Sequence, residues 1–200
     1  MDTPSSTSFL FPLAKPPPLE QIRELHILDF DGTLANTPTP EVGKRLYEAQ
    51  MGNAYPFEGW WGRDESLNRS CFPAGTINRG PAYEDGYLKH AKRDDVCRVI
   101  LTGRMEKLRR RVEENLVDSL GVDSMHFHEL VCKKNGAKDT LSYKCAEMER
   151  MVRMYAPQRV MIWEDRRKHA EGFREFGREL KRRVESLESW EVYLVEPSSD

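Results

Sequence analysis

Residues 25–34 read LHILDFDGTL, Leu25 through Leu34. Four mostly apolar residues, too few for a helix, run straight into two carboxylates, Asp29 and Asp31, set two positions apart. A short apolar run closed by polar residues is the pattern of a strand buried on both faces, as in a parallel sheet. Two further runs repeat it, at residues 96–101 and 160–163. Each again ends in polar groups: Thr102-Gly103-Arg104 after the second and Glu164-Asp165 after the third. In an open parallel sheet, ligands bind in the crevice outside the carboxyl ends of the strands. The three polar tips are therefore expected to converge.

Between and after these runs the apolar residues keep helical spacing. Met105, Leu108, Val112, Leu116 and Leu120 predict one helix, with Gly121 placed to end it. Leu141, Cys145, Met148, Val152 and Tyr155 predict a second, stopped at Pro157. Ala170, Phe173, Phe176, Leu180, Val184 and Leu187 predict a third, in which Gly172 and Gly177 each cost up to about 1 kcal/mol relative to alanine. Strands separated by helices give an α/β domain, a parallel sheet flanked by helices with right-handed crossovers. A closing strand is expected at residues 191–195, its place in the sheet left open.

Two segments stand apart. Residues 1–20, rich in Ser, Thr and Pro, predict a flexible leader, so that the domain occupies residues 21–200. Residues 36–94 have little periodicity and many Gly, Pro and Asn residues. Yet eight of the chain's nineteen aromatic side chains lie between Tyr47 and Tyr87, which requires a small core or a binding surface of the segment's own. It is read as a cap inserted over the main domain.

Composition narrows the class further. The chain has 200 residues, 38% of them apolar and 32% charged, which fits one densely charged domain. No run approaches the roughly 18 apolar residues of a membrane span, so no membrane association is expected. A net charge of −2 excludes a globally basic nucleic-acid binder but leaves local patches. Cys71, Cys97, Cys132 and Cys145 lie far apart, with no CxxC pair. That spacing points to a reducing compartment, the cytosol first and the nucleus as the alternative.

Carboxylates gathered at one sheet edge repel one another unless a cation sits among them. Hard oxygen ligands without a softer partner suit Mg²⁺. Around such an ion two aspartates can divide the labour. Asp29 would attack phosphorus as a nucleophile. Asp31 would give a proton to the leaving oxygen and then take one from the hydrolytic water. Gly32 suits the sharp turn between them, Thr102 offers a hydroxyl donor, and a lysine should neutralise the shared charge. Lys144 fits that place if Thr140 caps its helix, since a cation so near a helix N-terminus calls for an anionic partner. Lys138 is the rival. An isolated DxD pair is equally a surface turn, and it is the three tips together that single out a site.

These residues resemble the motifs of the haloacid dehalogenase (HAD) superfamily of phosphotransferases. LDFDGTL is similar to the first motif, LTGR to the second, a lysine in TLSYK to the third and IWEDR to the acidic fourth. The resemblance implies a Rossmann-like HAD core, Mg²⁺ dependence and phosphatase activity. It also implies Asp29, Asp31, Thr102 and Lys144 as the working residues. The metal would be held by Asp29, the Phe30 carbonyl and Asp165, with Glu164 behind it or acting through water. More narrowly, DFDGTLANTPTP, GWW, LTGR, TLSYK and WEDRRKHAEGFREF resemble the fungal HAD domain of Swiss Army Knife RNA repair proteins. The stretch from LTGR to EDRR is also similar to the phosphatase half of polynucleotide kinase-phosphatases. That likeness implies a phosphorylated substrate such as an RNA or DNA 3′-phosphate end, held by Gly103 and Arg104.

The cap would then choose the substrate. Tyr55, Phe57, Trp60 and Trp61 could stack on bases, or form the cap's own core, and Arg104, Arg109 and Arg166 could meet a phosphate backbone. His126, His128 and Cys132 lack a fourth ligand at metal spacing and read as polar edge residues of a strand. The competing functions are the same chemistry on a small metabolite or phosphoprotein, and a non-catalytic binding module on the same fold.

Overall fold

The computed structural model describes residues 13–68, 82–120, 126–134, 136 and 139–196. Its sheet consists of β1 (Glu24–Leu28), β2 (Val96–Met105), β3 (Glu129–Lys133), β4 (Arg159–Glu164) and β5 (Ser189–Leu194). All pairings are parallel, in the order β3-β2-β1-β4-β5. The opening stretch thus forms the central strand, with Leu28 in register with Ile100 on one side and Trp163 on the other. Residues 29–31 leave the sheet between the ends of both neighbours.

Strand alternation divides the core into two layers. Leu25 and Ile27, Cys97 and Val99, and Val160 and Ile162 meet Met148, Met151, Val152 and Tyr155 of α3 (Thr140–Tyr155) and Phe173 and Leu180 of α4 (Arg167–Arg183). Leu28, Ile100 and Trp163 face the opposite way, onto Val112 and Leu116 of α2 (Arg109–Leu120) and onto Phe127. Each such aliphatic or aromatic side chain contributes roughly 1.5–3 kcal/mol on full burial. Both faces of the sheet are covered, which is why its strands read as unbroken apolar runs.

The structure departs from the expected elements in several places. β2 continues to Met105, carrying Thr102-Gly103-Arg104 on its end, and its pairing with β3 shifts register between Leu101 and Met105. The last helix stops at Arg183 rather than reaching Leu187. The closing strand lies at the sheet edge beside β4. The residue capping α3 is Asp139, whose carboxylate accepts the N–H groups of Leu141 and Ser142, so Thr140 becomes the first helical residue. Gly121, the expected helix stop, lies outside the described residues.

Within the insertion a further helix, α1 (Pro40–Met51), has no counterpart in the sequence reading. Its signals are at its ends: Thr39 at the cap, Pro40 in the first turn and Gly52 in the left-handed conformation after it. Only Gly43 and Tyr47 are buried, so no apolar stripe announces it. Tyr47 and Trp60, with Tyr55 against them, make a small core, and Trp60 Nε1 donates to the Pro38 carbonyl at 3.1 Å. Arg111 to Asp64 (3.0 Å) and Asn115 to the Leu67 carbonyl (3.1 Å) tie this cap to α2. Residues 82–90 return against the sheet, where Ala82, Tyr83 and Tyr87 join the core layer of Leu28 and Trp163. Of the leader, residues 1–12 lie outside the described residues. Ala14 N–H donates to the Phe127 carbonyl at 2.7 Å, and a short turn spans Leu19–Gln21, so the end of the leader lies on the domain.

Candidate active site

Asp29 is the first residue beyond β1, and its N–H still donates to the Trp163 carbonyl of β4 at 3.0 Å. The chain then folds back on itself: Leu34 and Ala35 both donate to the Phe30 carbonyl, at 3.1 and 2.9 Å. Gly32 makes the turn at φ +69°, and a Cβ there would stand 2.5 Å from Asp165 Oδ2. Backbone conformation and the nearness of β4's acidic end thus both require glycine.

Lys144, on the second turn of α3, enters this corner almost fully buried and places Nζ 2.7 Å from both Asp29 Oδ1 and Glu164 Oε2. Glu164 also stands 3.3 Å from His169 Nδ1 and accepts the Arg166 N–H. Burial opposes its charge, yet Lys144 and His169 hold its carboxyl down at about 2. Burial likewise works against the Lys144 cation, but Asp29 and Glu164 more than offset it and keep it charged. One ammonium does not balance three carboxylates. Burial first, then Glu164, pushes Asp29 well above the usual carboxylate range, against the pull of Lys144. Asp165 rises to about 7, from burial and then from Glu164.

Oxygen atoms of Asp29, Glu164 and Asp165 all lie within 4.8 Å of one another, and Asp165 Oδ1 is buried with no hydrogen-bond partner. An orphaned oxygen in a cluster of excess negative charge, with no sulfur or imidazole ligand among its members, fits Mg²⁺. The Phe30 carbonyl, the third ligand expected from the sequence, accepts two N–H groups of its own loop. Those donors are Leu34 and Ala35, and the grouped carboxylate oxygens are those of Asp29, Glu164 and Asp165. Among the described residues one other cluster has ligand spacing, that of Glu24, His26 and His90. There Arg93 and Arg159 already face Glu24, at 3.2 and 3.6 Å, and a further cation is disfavoured.

Asp31 has different company. Thr37 Oγ1 donates to its Oδ1 at 2.7 Å, and Arg104 grips both carboxylate oxygens, with Nε 2.9 Å from Oδ2 and Nη2 2.7 Å from Oδ1. Arg104 is 1% exposed, and its Nη1 donates to the Trp61 carbonyl and to Ser66 Oγ in the cap. Its N–H donates to the buried Thr102 hydroxyl at 3.1 Å. Gly103 packs against the start of α3, where a Cβ would come within 2.7 Å of Thr140 Cγ2. Asp29, Thr102, Gly103, Lys144, Glu164 and Asp165 therefore sit on the carboxyl ends of β1, β2 and β4 and the facing start of α3, as the sheet argument requires. The rival Lys138 lies outside the described residues.

The remaining candidates separate. Trp60 is a core residue of the cap, whereas Trp61 is 44% exposed, with the Arg104 guanidinium 4.8 Å from its ring centre. Tyr55 packs on Tyr47 and Trp60, and Phe57 is exposed under Arg63. Arg109 is engaged with Glu106 and the Leu130 carbonyl, while Arg166 is exposed at the head of α4. His126 and His128 precede β3 rather than lying in it, and His128 Nδ1 accepts the Arg98 N–H at 2.9 Å. Thr37, Ser66 and His169 were not legible in the sequence as site residues. Nothing local marks Thr37 or Ser66, but His169, five residues after Glu164, falls within one turn of the helix that starts there.

The chain has matches among known proteins. The model of HAD domain family 1 in Swiss Army Knife RNA repair proteins matches residues 40–200, a span that starts after Asp31. The "Uncharacterized protein YMR265C" of Saccharomyces cerevisiae is 26% identical over 176 residues, covering 80% of this chain and 38% of that protein. The chain thus spans about two fifths of the length of this curated relative. Among solved structures, the HAD domain of the effector protein Lem4 from Legionella pneumophila matches with a TM-score of 0.50 at 15% identity. The match covers 90% of this chain and 89% of that one, a likeness of fold. Among the described residues, no helix is long and apolar enough to cross a membrane.

Proposed function

The chain belongs to HAD domain family 1 of Swiss Army Knife RNA repair proteins, and from that premise we propose that it is a Mg²⁺-dependent phosphohydrolase acting through an aspartyl-phosphate. The carrying observation is the buried corner in which Lys144 bridges Asp29 and Glu164 at 2.7 Å, with the unpartnered Asp165 oxygen beside it. A bound Mg²⁺ would neutralise the excess carboxylate charge and draw phosphoryl oxygens in.

Asp29 uses one oxygen on Lys144, which leaves the other to attack phosphorus as the bond to the leaving oxygen breaks. Lys144 spreads its charge over carboxylate and phosphoryl group together, and Thr102 supplies a hydroxyl at the same rim. Asp31, two residues along and partly exposed, gives the leaving oxygen its proton and recovers one from the water that cleaves the acyl phosphate.

The substrate we propose is a nucleic-acid 3′-phosphate end. Trp61 offers an exposed ring at the mouth, an interaction worth roughly 1–3 kcal/mol per stacked base. Arg166, Arg167 and Lys168 follow Asp165 directly and are exposed at a helix start, where the dipole disfavours cations and an anionic partner would compensate. The test is a panel of 3′-phosphorylated RNA and DNA oligomers, phosphorylated metabolites and phosphopeptides, with Mg²⁺ or EDTA, on wild type and Asp29→Asn. Release of phosphate from the oligomers, lost in EDTA and in the variant, is expected. Wild-type rates from verified Asp29→Asn would refute the nucleophile, and preference for another substrate class would refute the choice of ends.

A further inference from the structure

We propose that Arg104 is a positioning residue that locks the cap to the Asp31 carboxylate, and not a ligand of the substrate phosphate. The inference rests on the reading of Asp31 as acid and base. Its ground is where the guanidinium donors go. Nε and Nη2 are spent on Asp31, and Nη1 on the Trp61 carbonyl and Ser66 Oγ. At most one N–H is left, and the side chain is 1% exposed. A residue meant to catch an incoming phosphate would keep its fork open at the mouth.

The fork instead joins three pieces of chain that the sequence separates widely: the first loop, the cap and the end of β2. Thr37 holds Asp31 Oδ1 from the other side at 2.7 Å, so the carboxylate is fixed between the cap's first residues and Arg104. The Trp61 ring lies over the same guanidinium. Cap placement and Asp31 placement are thus one event, and the acid and base is in place only when the cap is down. The nucleophile has no such dependence, because its cation comes from α3.

Arg104→Gln and Arg104→Lys are compared with wild type and with Asp31→Asn, alone and combined. Displacing a catalytic group by about 1 Å costs on the order of 10²-fold. Arg104→Gln is therefore expected to lower kcat about 10²-fold with KM changed less than about twofold, and Arg104→Lys, which keeps charge but loses the fork, to restore little. In the Asp31→Asn background Arg104→Gln should cost less than about threefold more. A tenfold rise in KM with kcat retained, or full additivity with Asp31→Asn, would overturn the proposal in favour of a phosphate ligand.

Two measurements need no turnover. Inorganic phosphate binding in Mg²⁺, read by calorimetry, should be unchanged in Arg104→Gln, while hydrogen exchange in residues 57–67 should accelerate at least ~10-fold. Lost phosphate affinity or unaltered exchange contradicts the role assigned. Absence of turnover by wild type would defeat the phosphohydrolase reading alone, and these two arms would still judge Arg104.

Discussion

Asp165→Asn should make the metal-free protein more stable while disabling it. Burial and then Glu164 raise the Asp165 carboxyl from 3.8 to about 7, so above pH 7 the fold holds a charge it disfavours. The sign follows from proton binding. A raised acid binds more protons folded than unfolded between pH 3.8 and 7, so its contribution to stability falls as pH climbs through that window and is most unfavourable above it. The shift corresponds to about 4 kcal/mol, which access of solvent to the side chain reduces to about 2 kcal/mol. Asparagine removes the charge at nearly constant volume. At pH 8 in EDTA the variant should therefore melt about 4–8 °C higher than wild type. Saturating Mg²⁺ reverses the order, since an ion at 100-fold its dissociation constant adds about 2.7 kcal/mol to a chain that binds it and far less to one lacking a ligand. Calorimetric scans of both proteins, in EDTA and in Mg²⁺, at pH 5 and pH 8, give the comparison. A lower Tm for Asp165→Asn in EDTA at pH 8, or equal Mg²⁺ shifts in the two proteins, would refute the claim that unbalanced carboxylate charge defines this site.

Lys144→Met should lose about 3–5 kcal/mol in urea unfolding without metal, because Asp29 and Glu164 are left buried without their cation; a loss under about 1 kcal/mol would contradict the ion pairs. Gly32→Ala meets a left-handed backbone at φ +69° and the Asp165 carboxylate at 2.5 Å, and should weaken Mg²⁺ binding at least ~10-fold in calorimetric titration; unchanged affinity would mean that Asp165 holds no ion. Burial, then Arg98 and His126, depress His128 from 6.5 to about 4. The fold keeps His128 neutral while the unfolded chain takes up a proton, so stability present above pH 6.5 falls by about 2 kcal/mol on acidification to pH 4. His128→Asn, which can still accept the Arg98 N–H, should lose that much less between pH 7 and pH 4 in denaturant melts; an identical acid loss would refute the assignment.

The parts of this molecule that follow local rules were legible in advance. Central strands covered on both faces must be apolar throughout, so β1, β2 and β4 were readable from the sequence, as was the meeting of their polar ends at one edge. α1 could not be found by the same means, because a helix that buries only Gly43 and Tyr47 has no apolar stripe to read. Its caps at Thr39 and Gly52 were the usable signal. Trp60 and Trp61 are adjacent in sequence and opposite in role, and only the position of Pro38 and Arg104 in space decides which ring is buried. The turn set by Gly32 was legible, but not that it brings Leu34 and Ala35 N–H groups onto the Phe30 carbonyl.

Two like charges two residues apart at the end of a strand find a physical answer in their separate counter-cations. Asp29 is paired from the core, with a lysine on the helix that follows β3 that it shares with Glu164. Asp31 is neutralised from the end of β2, by an arginine whose remaining donors reach into the cap. With separate partners, Asp29 and its lysine belong to the core, while Asp31 is held by groups that belong to the cap or reach into it. Two side chains therefore join the Asp31 carboxylate to the cap, Arg104 and Thr37. Cap variants that do not touch phosphate, such as Ser66→Ala, should accordingly depress kcat in proportion to the loosening of residues 57–67 while leaving inorganic phosphate binding alone.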